Sequence, residues 1–134
     1  MNTIQKPFLK WLGGKTQLLK DILEIFPNEI QNYHEIFLGG GSVLLGLLSL
    51  IEQGKITVRG KIYAYDINKT LIQVYKDMQK NHEVLYEQFK YYMDTYASLD
   101  SNGIVNRDPQ DETQAYTSKE SYYYWIRKLF NQEN

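Results

Sequence analysis

Three stretches of this 134-residue chain carry residue types that do chemistry. The first, KPFLKWLGGKTQLL at residues 6–19, runs a glycine pair into Lys15 and Thr16 where a helical pattern begins, as a phosphate-binding loop would. Such a loop needs a glycine separated by four residues from its Gly-Lys-Ser/Thr end, and that position holds Leu9. No buried strand precedes it either, because MNTIQK is too polar to form one. A plain Gly-Gly turn before a helix explains the same residues.

The second stretch, FLGGGS at 37–42, follows a short aromatic and β-branched run. Glycines at the carboxyl end of a parallel strand let the backbone approach a ligand, with the amino end of the next helix facing it. A dinucleotide turn would continue Gly39-x-Gly41-x-x-Gly, but position 44 is leucine, so a ligand without phosphates fits more easily. Asp66 ends the next strand-like run. An ionised carboxylate only accepts hydrogen bonds, which suits it to both hydroxyls of a ribose, and the pair of features fits an adenosine-type ligand. Asp66 could equally serve only as a cap for the helix that begins near Asn68. The third stretch, Asp108-Pro109 followed by Gln110 and Asp111, sits in a polar segment with no strand before it and reads as a turn.

The elements that would position these residues follow from periodicity. Residues 1–14 form an extended lead-in. KTQLLKDILEIF then sets Leu18, Leu19, Ile22, Leu23 and Phe26 at helical spacing up to Pro27. YHEIFL (33–38) and KIYAYDIN (61–68) read as buried strands, and SVLLGLLSLIEQG (42–54) as a buried helix between them. Strand, glycine turn, helix and strand make a βαβ unit, hence part of a parallel sheet. Asn68 can cap a helix over 69–80, and Leu85, Phe89, Tyr92, Met93 and Tyr96 mark another. Residues 99–117 read as loop. Thr117 and Glu120 have capping-box spacing for a last helix, whose Tyr124, Ile126, Arg127 and Phe130 would bury one face. Neither glycine nor proline precedes Asn134, so that helix is expected to be cut rather than finished.

Composition narrows the classes. A chain of this length with 43% hydrophobic residues suits one small domain with a core. Fifteen basic against 16 acidic side chains give a net charge of −1, so no global positive field advertises a nucleic-acid partner. The absence of cysteine excludes disulfides, zinc-thiolate sites and a thiol nucleophile, and fits an intracellular protein. The longest apolar run, residues 42–51, is well short of the roughly 20 residues a membrane span needs. The 12 tyrosines, with many Asn, Lys and Ile, read as compositional bias.

PFLKWLGGK (7–15), EIFLGGGSV (35–43), YDIN (65–68) and YYWIRKLFN (123–131) together resemble, in order and spacing, the amino-terminal half of the Dam-type DNA adenine methyltransferases. The resemblance implies a Rossmann-like α/β fold that binds S-adenosylmethionine and methylates the exocyclic amine of adenine in double-stranded DNA, in a bacterial, phage or viral setting. It implies that Trp11 and Lys15 help bind the methyl donor, that Phe37, Gly39 and Gly41 wrap its methionine part, and that Asp66 holds its ribose. Without a ligand, Trp11 would be a core anchor and Lys15 a solvated first-turn residue. Residues 1–81 would then form the donor-binding part and 82–134 the beginning of a helical target-recognition subdomain.

The sequence departs from the family in two places. Ile36 replaces a proline usual between the acid and the phenylalanine. More seriously, the catalytic Asp-Pro-Pro-Tyr motif is not present. The resemblance therefore implies an amino-terminal fragment, inactive alone, with activity dependent on the absent portion or on a second polypeptide that carries the motif. A nucleotide-binding phosphotransferase is the remaining alternative, and Leu9 argues against it.

Overall fold

The lead-in has no periodicity to fold on. In the computed structural model, which describes residues 3–11 and 13–133, residues 3–11 form no helix or strand. The Gln5 amide donates to Ser49 Oγ at 2.9 Å, laying the segment along the buried helix. The helix end expected at Asn134 lies outside the described residues.

The spacing calls for one helix from Lys15, but the first turn tightens. Thr16–Leu18 is a single 3-10 turn and α1 spans only Leu19–Glu24. No side chain caps either start. The exposed amides then close on nearer carbonyls, as Leu18 N does on Lys15 O at 3.1 Å. Leu18, expected on the apolar stripe, is 59% exposed as a result.

The βαβ order holds, but pairing is shorter and starts earlier, and the strands expected to be buried leave Ile36, Tyr63 and Tyr65 exposed on one face. Strands β1 (Glu29–Ile30) and β2 (Tyr33–Glu35) precede α2 (Ser42–Glu52), and β3 (Thr57–Val58) and β4 (Ile62–Ala64) follow it. β1 pairs in parallel with β3, and β2 with β4 in the register Tyr33↔Ile62, His34↔Tyr63, Glu35↔Ala64. The ladder breaks between these pairs because Asn32 Oδ1 accepts the Lys61 amide at 2.9 Å in place of a backbone carbonyl. Tyr65 N to Glu35 O and Leu38 N to Tyr65 O, each 2.8 Å, carry the pairing on to the glycine turn.

α2 is the core of this unit. Leu47 is fully buried, and Leu38, Val43, Ile56 and Leu71 are nearly so. Gly46 admits α1 closely, since a Cβ there would lie 2.9 Å from Leu23 Cδ1. α3 (Lys69–Lys80) starts at the expected cap, where Asn68 Oδ1 accepts the Leu71 amide at 2.9 Å.

The chain divides into two compact units after Lys76, within α3. The second holds α4 (His82–Ser98), α5 (Glu112–Ala115) and α6 (Lys119–Glu133). α5 lies in the stretch expected to be loop, where Asp111 Oδ1 caps it by accepting the Gln114 amide at 2.9 Å. The cap of α6 is Ser118, one residue beyond the expected Thr117, with Ser121 N donating to Ser118 Oγ at 3.1 Å. The buried face shifts with it: Ser118, Ser121 and Tyr122 are buried, while Phe130 is 52% exposed. Among the described residues no helix is long and apolar enough to cross a membrane.

Candidate functional site

The turn between β2 and α2 works only with glycine at two positions. Gly39 and Gly41 have φ of +53° and +78°, the left-handed region that side chains disfavour. The Gly41 amide closes the turn on Leu38 O at 2.9 Å.

Side chains from three other segments converge on this turn. Asp66, just past β4, accepts the Gly39 amide through Oδ2 and the Asn68 amide through Oδ1, both at 2.9 Å. Those two backbone donors, that of Asn68 first, hold its carboxyl below the usual aspartate range, helped by the charge of Lys15. Tyr75, from α3, donates to Gly39 O at 3.3 Å. Trp11 lies against the turn on the lead-in side. A Cβ on Gly40 would meet Leu9 O at 3.0 Å and Trp11 Cβ at 3.2 Å, and one on Gly39 would meet Trp11 Cδ1 at 3.4 Å. Lys15 Nζ donates to the Phe37 carbonyl at 3.4 Å, while the Phe37 ring is 76% exposed.

The six residues singled out in the sequence, Trp11, Lys15, Phe37, Gly39, Gly41 and Asp66, thus gather around one turn. Two participants were not singled out. Glu35 is buried, and desolvation raises its pKa against the opposing effects of the Tyr33 hydroxyl, Lys15 and the Leu44 amide. Tyr33 OH donates to Glu35 Oε2 at 3.3 Å, and burial with that carboxylate pushes the phenol far above its ordinary value. A carboxylate inside an aromatic, β-branched run was the available signal for Glu35. Tyr75 had none, being one of 12 tyrosines.

Chemically, the site offers acceptors, a cation and an aromatic wall. Asp66 uses one lone pair on each oxygen for a backbone amide, which leaves capacity on both for a pair of neighbouring hydroxyls. The Gly39 and Gly41 amides bond within the protein, so Lys15 is the charged donor available to an anionic group. Asp108-Pro109 lies in a bend of the second unit, where Asp108 Oδ1 accepts from Lys128 Nζ at 2.9 Å. An open groove of about 590 Å³, lined in part by Leu19, Leu23, Phe26 and Ile56, shares no glycine of the turn.

Residues 11–134 match the family model described as D12 class N6 adenine-specific DNA methyltransferase. The chain is 35% identical over 131 residues to Type II methyltransferase M.MjaIII of Methanocaldococcus jannaschii, covering 94% of this chain and 38% of that protein. It is 32% identical over 146 residues to Type II methyltransferase M1.LlaDCHI of Lactococcus lactis subsp. cremoris, covering 98% and 46%. It is 29% identical over 128 residues to a DNA adenine methylase of Haemophilus influenzae, covering 94% and 41%. The chain therefore spans less than half the length of each of these relatives. No solved structure matches it.

Proposed function

The chain belongs to the D12 class of N6 adenine-specific DNA methyltransferases, and from that premise we propose that its first unit binds S-adenosylmethionine at the turn containing Gly39 and Gly41, within a Rossmann-like fold. The carrying observation is the junction of Asp66 with Gly39, which joins an acceptor for a ribose to the turn beside it. Asp66 would take the two ribose hydroxyls. Lys15 would face the amino-acid carboxylate, and Trp11 would give an aromatic surface to the adenine or the sulfonium. When bound, the donor supplies an electrophilic methyl group; the residues here hold and orient it. Calorimetry with S-adenosylmethionine and with ATP tests the reading. Binding of the first with micromolar or tighter affinity supports it, whereas binding of ATP alone would revive the phosphotransferase alternative.

In this proposal the acceptor is adenine in double-stranded DNA, and residues 82–134 begin the part that recognises the target. Methyl transfer needs the flipped base stacked and its weakly nucleophilic amine polarised, tasks suited to an Asp-Pro-Pro-Tyr segment. The only Asp-Pro in this sequence is Asp108-Pro109. Transfer then requires that segment to be supplied, and one observation favours supply by a second polypeptide or a further part of the same protein. On the sheet face opposite Glu35, His34 stacks on Tyr63 at 4.6 Å, and Ile36, Tyr63 and Tyr65 are all substantially exposed. Parallel sheets are ordinarily covered on both faces. The purified 134-residue chain should transfer no labelled methyl group to DNA, and activity should appear when the remaining portion of a relative is added. Adenine methylation by the chain alone, abolished by Gly39→Asp, would refute the requirement.

A further inference from the structure

We propose that Tyr75 is a positioning residue of the methyl-donor site, fixing the direction in which the glycine turn presents its backbone; this rests on the donor-binding reading above. Gly39 is held from two directions, its amide by Asp66 Oδ2 at 2.9 Å and its carbonyl by the Tyr75 hydroxyl at 3.3 Å. Both peptide groups flanking Gly39 are thereby oriented. Across a trans peptide the N–H and C=O point in opposite directions, so drawing the Gly39 carbonyl toward Tyr75 turns the Gly40 amide away from it. The Gly39 and Gly41 amides are already bonded to Asp66 and Leu38. The Gly40 amide is the one whose aim Tyr75 sets.

Space and charge both support the assignment. A Cβ on Gly41 would stand 2.7 Å from the Tyr75 hydroxyl, so Tyr75 occupies the room that a larger residue in the turn would need. Burial, then the charges of Glu35 and Asp66, raise the Tyr75 pKa, so the phenol stays protonated as a donor. The ring alone could fill space between α3 and the turn; the hydroxyl is what orients the peptide.

Tyr75→Phe keeps the ring and removes that donor. In the ¹⁵N-labelled chain it should shift the Gly39, Gly40 and Gly41 amide signals and speed their hydrogen exchange, with the melting temperature nearly unchanged. Affinity for S-adenosylmethionine should fall about 3- to 10-fold, the size of one hydrogen bond. Substituting 4-aminophenylalanine for Tyr75 restores a donor and should restore affinity. If wild type binds and Asp66→Asn weakens binding while Tyr75→Phe leaves both the glycine signals and the affinity in place, the role of Tyr75 is refuted and the donor site stands. If wild type binds no S-adenosylmethionine, the donor-site reading fails and this inference with it.

Discussion

Asp66 Oδ2 accepts the Gly39 amide at 2.9 Å, so the acid past the end of one parallel strand holds the turn past the end of its neighbour. This contact, with the cap supplied by Asn68, argues against the helix-cap role that the sequence leaves open for Asp66. The cap of α3 is Asn68, whose Oδ1 takes the Leu71 amide, while Asp66 Oδ1 takes only the amide of Asn68 itself. Asp66 is thus bound to the glycine turn, and its substitution should affect that turn more than the helix.

Asp66→Ala should weaken S-adenosylmethionine binding by about 1.5–3 kcal/mol, the scale for a charged hydrogen-bond partner. The helix should persist, because Asn68 still caps it. Calorimetry alongside far-ultraviolet circular dichroism makes the test. Unchanged affinity would reduce Asp66 to a brace of the turn.

Gly41→Ala should destabilise the first unit by about 1–3 kcal/mol, since it strains a left-handed backbone and crowds Tyr75. The φ of +78° and the 2.7 Å approach to the Tyr75 hydroxyl are separate causes. In Tyr75→Phe the nearest ring atom is Cζ at 3.3 Å, so the same substitution should be less harmful there. A double-mutant cycle on melting measures the coupling. Strict additivity would mean that the contact carries no energy.

The glycine turn, the βαβ order and the Asn68 cap were legible because each depends on a local signal: glycine where φ is positive, alternating runs around an apolar helix, and a capping side chain. What local pattern missed was decided by side chains arriving from elsewhere. Asn32 breaks the sheet ladder by bonding Lys61 across the pair. The cap of α6 moved from Thr117 to Ser118 because Thr117 Oγ1 lies against the carbonyls of Ile104 and Gln114, at 2.8 and 2.9 Å. The six candidate residues were singled out from three of the four motif blocks. Tyr75 belongs to none of them, and only the folded chain brings it under the turn.

Glu35 should give the fold a stability that declines as pH rises. Its folded pKa is raised above the ordinary 4.5 by burial, so its contribution is full below that value and is lost as pH climbs through the folded one. Asp66 has the opposite sign: lowered from 3.8, it contributes above that value and loses the contribution as pH falls further. Between 3.8 and 4.5 both contributions are present. Glu35→Gln removes only the first. The melting temperature of Glu35→Gln minus that of wild type should therefore grow from pH 4 to pH 8, and a flat difference would mean that Glu35 ionises without penalty in the fold.

Ser121→Ala should destabilise the second unit more than Thr117→Ala, reversing the order that capping-box spacing implies. Ser121 is fully buried, and its hydroxyl accepts the Asn106 amide at 2.7 Å, lies 3.2 Å from Ile104 O and meets Ser118 Oγ at 2.8 Å. Removing it strands a backbone donor of the loop before α5, at about 1–3 kcal/mol for an unsatisfied buried group. Thr117 is exposed, and the Ile104 carbonyl it approaches is also approached by Ser121. Its loss should amount to no more than about 1 kcal/mol. Ser118→Ala falls between them, at about 1 kcal/mol for a lost helix cap. Urea titrations of the three variants rank them directly, and a Thr117 effect larger than that of Ser121 would restore Thr117 as the residue that starts α6.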